Sequence, residues 1–268
     1  MKHYPSLFLF LVLLVALVAP PGWAAGAPAG WSVSVGGGML YAPAFAGSSD
    51  YQLRALPAVR VNYGDRFAAS YEQGVSYVVA RSQRWTLAPL VKLDSGRDAD
   101  GQGSFVVAGG RSHALRGFAD IDTTVQTGAR LAFAEGAWTS TAEVLQGLNG
   151  HEGLTLDLAL DRSVRLPSGW VIATGPRLGW VDRDYNQAYF GVTPSASVGS
   201  GLATFTPASG FNTAGWNFSA ICRHDNGWTL IGSLGLSRLL GDAGDSPLVR
   251  LKGDRTQLRL GLFLVKQL

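Results

Sequence analysis

Long segments of this chain alternate apolar and polar residues one by one. The clearest is Leu154 to Val164, where leucines occupy every second position and Asp157 and Asp161 lie on the opposite face. Three further segments alternate in the same way: 121–133, 170–180 and 257–268. Such a period marks a strand with one apolar and one polar face. Each run is about 10–13 residues, a length that crosses a bilayer at a tilt, whereas soluble strands average roughly 5–6. The pattern predicts an all-β fold, a closed antiparallel transmembrane β-barrel.

Long and short connections between these segments alternate along the chain. Polar loops fall near 41–52, 95–118, 182–212 and 239–255, with a shorter one near 149–153. Short turns fall near 134–137, 166–169 and 224–227. Outer-membrane barrels have short periplasmic turns and long outer loops. The sequence therefore predicts which strand ends face the periplasm.

Five tryptophans each begin an alternating segment at the predicted periplasmic end. They are Trp31, Trp85, Trp138, Trp170 and Trp228. An indole ring is apolar while its N–H needs a polar partner, which suits the membrane interface. We predict that these residues anchor the barrel at one headgroup level, in contact with outer-membrane lipid.

The number of strands depends on residues 53–84. Five tryptophan-led strands running outward and five returning strands give ten, which is the preferred count. A hairpin turn at Tyr63–Arg66 would give eleven, and an odd count places the chain ends on opposite sides. A bulge at Gly64–Asp65 restores ten. A further short strand around Ser104–Val107 gives twelve instead.

The first residues are typical of an export signal. Lys2 precedes an apolar run from Leu7 to Val18, and small residues follow, so we predict a signal peptide over residues 1–24 and a barrel over 25–268. Lys2 is the only charged side chain in that leader, so the formal net charge falls from +3 to +2. With neither a basic stripe nor an aromatic-basic motif, the chain carries no nucleic-acid signal. The single cysteine, Cys222, excludes an internal disulfide.

Charged residues recur on the predicted inner faces of the strands. The predicted lumen charges are Arg60, Lys92, Asp122, Arg130, Glu143, Asp157, Asp161, Arg177 and Arg259. They allow two interpretations: a polar channel tuned by mixed charges, or an interior closed by ion pairs. We favour the closed interior, because a ten-stranded barrel is far narrower than 16–18-stranded porins and both signs occur in similar number.

The remaining residues give no signal for an enzyme. His113, His151 and His224 lack a recognisable triad context, and no His, Asp or Glu set has metal-ligand spacing, so we predict no catalytic, metal or cofactor site. Gly36–Gly38 opens no helix and therefore forms no phosphate-binding loop. The long loop from Asp182 to Phe211 is the best candidate for a binding element or for a plug of the barrel mouth.

Several short motifs, in order along nearly the whole of residues 25–268, resemble the MltA-interacting protein family of outer-membrane proteins, also called MipA/OmpV. They are Tyr41–Phe45, Gly47–Tyr51, Leu56–Pro57, Tyr63–Phe67, Gly96–Asp98, Leu115–Gly117, Asp120–Asp122, Tyr189–Pro194, Ser200–Leu202, Ser237–Asp242 and Ser246–Pro247.

The resemblance implies a barrel in the outer membrane of a Gram-negative cell, with no catalytic residues to carry over. It also implies a structural role in the cell envelope, as a scaffold between a murein transglycosylase and a penicillin-binding protein. The alternative function is a narrow porin for small solutes. An outer-membrane hydrolase is a third possibility, which the weak histidine signals do not favour.

Overall fold

The strands close into a ring in the computed structural model, which describes residues 30–101 and 105–268. The predicted leader lies outside the described residues. Twelve strands form the wall: β1 (Trp31–Pro43), β2 (Tyr51–Tyr63), β3 (Phe67–Ser70), β4 (Gly74–Tyr77), β6 (Trp85–Asp94), β8 (Thr124–Glu135), β9 (Trp138–Gly147), β10 (Leu154–Arg165), β11 (Trp170–Val181), β12 (Gly210–Arg223), β13 (Trp228–Leu239) and β14 (Thr256–Gln267). Two short strands lie beside this wall: β5 (Ala80–Arg81) pairs with β6, and β7 (Val106–Ala108) pairs with β2.

The ring closes because β1 pairs with both β2 and β14, each time antiparallel. Glycine at two positions of β1 makes this seam possible. A Cβ atom at Gly36 would lie 2.1 Å from the carbonyl oxygen of Leu264, and one at Gly38 would lie 2.3 Å from the Phe263 ring. The triple glycine thus lets the last strand approach closely.

The preferred count of ten strands is wrong, and the barrel has twelve. Tyr63–Arg66 is a true hairpin turn, with Gly64 at a φ of +55°, and a second reversal after Ser70 adds β4. The prediction failed because we expected a tryptophan at the start of every outward strand. The sixth such strand begins with Phe67, whose ring meets that of Trp31 edge-on at 6.0 Å. All five predicted tryptophans still begin outward strands.

The β3–β4 hairpin is much shorter than the rest of the wall. Both strands have four residues, while the other wall strands have 10 to 14. Above its tip, the free edge of β2 is partly covered by β7, where Ala55 N donates to Phe105 O at 2.9 Å. Pro57 lies in the gap between that bond and the bond from Tyr71 N to Val59 O. Because proline has no N–H group, it leaves no unpaired donor in this gap. The alternative count of twelve is therefore confirmed, but not through the short strand expected around Ser104–Val107. Ser104 lies outside the described residues, and β7, which overlaps the rest of that range, covers an edge and does not complete the ring.

The outer surface is a band of exposed apolar side chains. It includes Val35, Met39, Val59, Leu87, Val91, Leu131, Val144, Leu158, Leu160, Leu234, Leu236, Leu260, Leu262 and Leu264. These are the alternate residues of strands whose other residues face inward, as expected of a wall in contact with lipid. Cys222 is buried opposite Trp170 on the neighbouring strand.

The five long loops gather at one end and form a folded layer, which we call the cap (residues 44–50, 95–101 with 105–123, 148–153, 182–209 and 240–255). It contains four short helices: α1 (Arg183–Phe190), α2 (Pro194–Ser200), α3 (Gly241–Asp245) and α4 (Pro247–Lys252). None of the helices in the described part of the chain is long and apolar enough to cross a bilayer. The opposite end, the turn end, carries only tight turns.

Candidate functional site: the capped lumen

The inner face of the barrel carries eight of the nine predicted lumen charges on its strands. Seven of them line one internal cavity of about 740 Å³: Arg60, Lys92, Arg130, Glu143, Asp157, Arg177 and Arg259. Asp161 is buried beside Arg177. The ninth placement is wrong, because Asp122 precedes the first residue of β8 and is exposed in the cap. Parity was counted from a strand start at 121, which the structure places three residues later, at Thr124.

Most of these charges form two buried ion-pair groups. Glu143 binds two cations, with Oε1 at 3.1 Å from Lys92 Nζ and Oε2 at 2.6 Å from an Arg130 terminal nitrogen. The second group is a fork, in which one Arg177 nitrogen donates to both carboxylate oxygens of Asp161 at 2.7 and 3.0 Å. Charge-assisted bonds of this kind are short and strong, and they order the lumen side chains.

Strand order explains why these partners meet. Arg130 of β8 lies directly opposite Glu143 of β9, and Glu143 lies opposite Asp157 of β10. Lys92 reaches Glu143 from β6, across the intervening β8. The resulting row of two carboxylates and two cations is nearly neutral, which a low-dielectric interior requires.

The tryptophans lie where the sequence predicts, at the first residue of β1, β6, β9, β11 and β13. Two contact aromatic neighbours, with ring centroids 4.9 Å apart for Trp31 and Tyr63 and 4.6 Å apart for Trp85 and Phe133. Two others receive cations over the ring: Arg162 at 5.9 Å from the Trp138 centroid and Lys266 at 5.6 Å from that of Trp228. Trp170, the fifth, is half-buried against Cys222. An aromatic ring with long basic side chains beside it is the composition expected of a membrane-interface girdle, and the anchoring role stays a prediction.

The loop from Asp182 to Phe211 is folded, and its helices have clear local causes. The Asp182 carboxylate accepts from Tyr185 N at 2.9 Å and caps α1, while Thr193 caps α2 with Pro194 in its first turn. Neither helix was predicted from the sequence, although Asp and Thr-Pro at these positions are recognised signals for the start of a helix.

Two apolar clusters hold the cap together across its loops. One comprises Phe45, Leu115, Val192, Ala196, Leu202 and Leu248. The other comprises Tyr189, Phe190, Leu239, Ala243 and Val249. Because every long loop except 148–153 contributes to one of them, the cap packs as a small core above the lumen.

Tyr189 ties this cap to the barrel wall. Its hydroxyl donates to Asp94 Oδ1 at the top of β6 at 2.7 Å, and its carbonyl accepts from Arg97 at 2.6 Å. Burial raises the pKa of Tyr189, and the nearby Asp94 carboxylate raises it further. Burial lowers the pKa of Arg97 to about 10, an effect that Tyr189 and Asp120 oppose. Tyr189 thus stays a hydrogen-bond donor at neutral pH.

His151 lies beneath the same part of the cap. Its ring meets Tyr185 edge-on at 5.0 Å, and its Nδ1 accepts from Gly153 N at 3.0 Å, so Nδ1 is unprotonated. Burial lowers the pKa of His151, with Asp94 and Asp182 opposing the shift. The histidine therefore serves as a neutral packing and capping residue in this fold. In the described part of the chain, no group of three or more His, Cys, Asp or Glu side chains could hold a metal ion.

A family model described as MltA-interacting protein MipA matches residues 35–267, from β1 to β14. This chain belongs to the MipA family. The match spans nearly the whole closed ring and the cap, so it confirms the resemblance carried by the short motifs.

Curated members of the MipA family include the MltA-interacting proteins of Escherichia coli K12 and Shigella flexneri. Each is 24% identical to this chain over 254 residues, covering 89% of this chain and 92% of its own length. Among solved structures, an outer membrane channel from Pseudomonas putida F1 has a TM-score of 0.47 at 14% identity, covering 92% of this chain and 99% of its own. A bacterial polysaccharide outer membrane secretin has a TM-score of 0.44 at 11% identity, with coverages of 90% and 99%.

Proposed function

We propose that this MipA-family barrel is a closed structural protein of the outer membrane, and that it holds murein enzymes at its periplasmic end. The cap is the observation that carries the proposal. Its helices and two apolar clusters lie over the lumen, and Tyr189 is bonded to both Asp94 and Arg97. A mouth closed by packed side chains supports a scaffold over an open pore.

The turn end carries a surplus of positive charge that suits an acidic partner. Its cations are Arg66, Arg81, Arg84, Arg162, Arg165, Arg223 and Lys266. Its acids are Asp65, Glu135 and Asp225. Two of the acids are already paired, Asp65 with Arg81 and Glu135 with Arg84. Complementary charge steers association and fixes orientation more than it sets affinity.

The identity of the partner rests on the relatives. Those curated proteins are named for interaction with MltA, and we extend that interaction, with a murein transglycosylase, to this chain. A penicillin-binding protein as a second partner is carried by the family resemblance alone. The absence of an enzymatic role is likewise part of the proposal.

Charge reversal at the turn end tests the scaffold. Cross-linked envelopes with wild-type protein should yield the transglycosylase on purification, and Arg66→Glu with Arg165→Glu should lower its recovery several-fold. The matched control is Arg116→Glu with Arg250→Glu, two exposed cap arginines. Recovery that is absent from wild type, or equal in all three proteins, would reject the murein scaffold.

A narrow porin is the second candidate, favoured by the cavity of about 740 Å³ with charged walls. Planar bilayers separate the two functions. A scaffold closed by its cap gives no stepwise conductance, whereas stepwise conductance of the wild-type protein would favour the porin.

A further inference from the structure

Among the described residues, two arginines of the lumen have no carboxylate partner. Lys92, Arg130 and Arg177 form ion pairs with Glu143 or Asp161, and Arg60, although in no ion pair, has the Glu72 carboxylate as an electrostatic partner. No such carboxylate acts on Arg54 or Arg259. Both side chains are half-buried and line the cavity, so a small anion inside it would meet two positive charges that no ion pair offsets.

The two guanidinium groups lie on either side of β1. Arg54 of β2 is opposite Leu40, and Arg259 of β14 lies two residues before Gly261, which is opposite Leu40 on the other side. Each faces inward and lines the cavity, and Arg259 is a principal electrostatic neighbour of Arg54. The positive charge is therefore concentrated at one place on the cavity wall.

Arg54 makes only neutral contacts. One of its terminal nitrogens donates to Ala44 O at 2.8 Å and to Gln52 Oε1 at 3.0 Å, which fixes the side chain in place. Its Nε is buried without a partner among the described residues. Arg54 is thus held rigidly, and its charge is not neutralised.

Arg259 makes no hydrogen bond to any described residue, although protein surrounds it. The residue directly opposite on β13 is Gly235, which has no side chain to contact the guanidinium group. Tyr185 of the cap is close by, lines the same cavity, and has a hydroxyl without a partner in the described chain. The Tyr185 hydroxyl of the cap and the guanidinium groups of Arg54 and Arg259 on the wall therefore line the same cavity.

We infer that the upper lumen is a binding site for a small organic anion, a carboxylate held by Arg54 and Arg259 beneath Tyr185. Guanidinium groups bind carboxylates through parallel bonds, which a fixed pair of arginines favours. The neighbouring side chains Leu40, Ala42 and Phe45 are apolar and line the same cavity, so they suit a short aliphatic body. The site is independent of the scaffold function, because it lies inside the barrel and away from the turn end.

Equilibrium binding of radiolabelled butyrate tests the site directly. The full-length protein is refolded in detergent at a series of butyrate concentrations, so that the ligand does not have to cross the cap, and the bound butyrate is counted after rapid gel filtration. We expect saturable binding that weakens about tenfold or more in Arg259→Gln and in Arg54→Gln, because each loses charge-assisted bonds. Arg250→Gln, an exposed cap arginine, is the matched control and should bind as wild type does.

Three further binding measurements identify which chemical group the site recognises. Butylamine, with the same body and opposite charge, should not bind, and inorganic phosphate should bind more weakly than butyrate. Arg259→Lys keeps the charge but loses the fork, so its affinity should fall between wild type and Arg259→Gln, which also serves if the glutamine variant misfolds. No butyrate binding by wild type, equal binding by the arginine variants, or preference for phosphate would each overturn the inference.

Discussion

The two sides of the lumen treat the same residue type in opposite ways. On the β8–β11 side, Arg130 and Arg177 are bound to carboxylates of neighbouring strands. On the β1–β2–β14 side, no ion pair among the described residues includes Arg54 or Arg259, and Arg54 is bonded only to the neutral groups of Ala44 and Gln52. The first side is electrostatically complete within the chain, while the second depends on a solute. Whether a lumen charge contributes to stability or to binding is therefore set by its cross-strand neighbour, and four experiments test this contrast.

The largest effect is expected where a complete group is broken. Glu143→Gln leaves Lys92 and Arg130 without their shared carboxylate in a buried site, so the free energy of unfolding should fall by about 3–5 kcal/mol. Urea unfolding in lipid vesicles, followed by tryptophan fluorescence, measures it. Glu135→Gln is the control, since Glu135 is exposed and paired only with Arg84, and its loss should cost about 0–1 kcal/mol. Equal effects of the two variants would contradict the contrast.

The opposite sign is expected on the arginine side. In buffer free of organic anions, Arg259→Gln removes an uncompensated charge and should raise the free energy of unfolding by about 1–2 kcal/mol. The same unfolding measurement in butyrate should reverse the order, because only the wild-type chain gains stability from the bound anion. Destabilisation of the variant in both buffers would show that the Arg259 charge is offset from within the chain.

The cap should respond more mildly, because the Tyr189 hydroxyl is one of several groups that bond the cap to the wall. Tyr189→Phe removes the donor to Asp94 and leaves the ring in place, at a cost of about 1 kcal/mol or slightly more. Hydrogen exchange of the amides in α1 should speed up, while β9 and β10 stay protected. Unchanged exchange in α1 would mean that apolar packing alone holds the cap.

Acidification gives the smallest effect, and its sign follows from His151. Burial lowers the pKa of His151 in the fold, so the unfolded chain binds the proton more tightly. Stability from this residue is complete above the unfolded pKa of about 6.5 and declines as the pH falls below it. Protonation of Nδ1 also removes the acceptor for Gly153 N. The protection factors of the amides in loop 148–153, which are corrected for the intrinsic pH dependence of exchange, should therefore fall between pH 7.5 and 5.5, and His151→Gln should abolish this fall.

Much of the wall was predictable because alternation is a local signal. The segment Leu154–Val164 became β10 nearly residue for residue, and each of the five predicted tryptophans began a strand. The β3–β4 hairpin was not predictable, because strands of four residues are too short to show a clear alternation and because Phe67 stands where we expected a tryptophan. The alternation of inward and outward residues predicted which charges line the lumen. It did not predict their partners, because the Lys92–Glu143 pair joins strands that are not adjacent.

The seam between β1 and β14 also has a consequence for how the barrel forms. Its pairs, such as Ser34 with Gln267, join positions at opposite ends of the described chain. Contacts of such separation carry a large loop-closure entropy and make folding slow. The ring can therefore close only when the final strand has arrived, and until then β1 and β14 each expose an open edge. Gly36 and Gly38 lie at this last contact, so bulk added there would act mainly on the rate of closure and on how long those open edges persist.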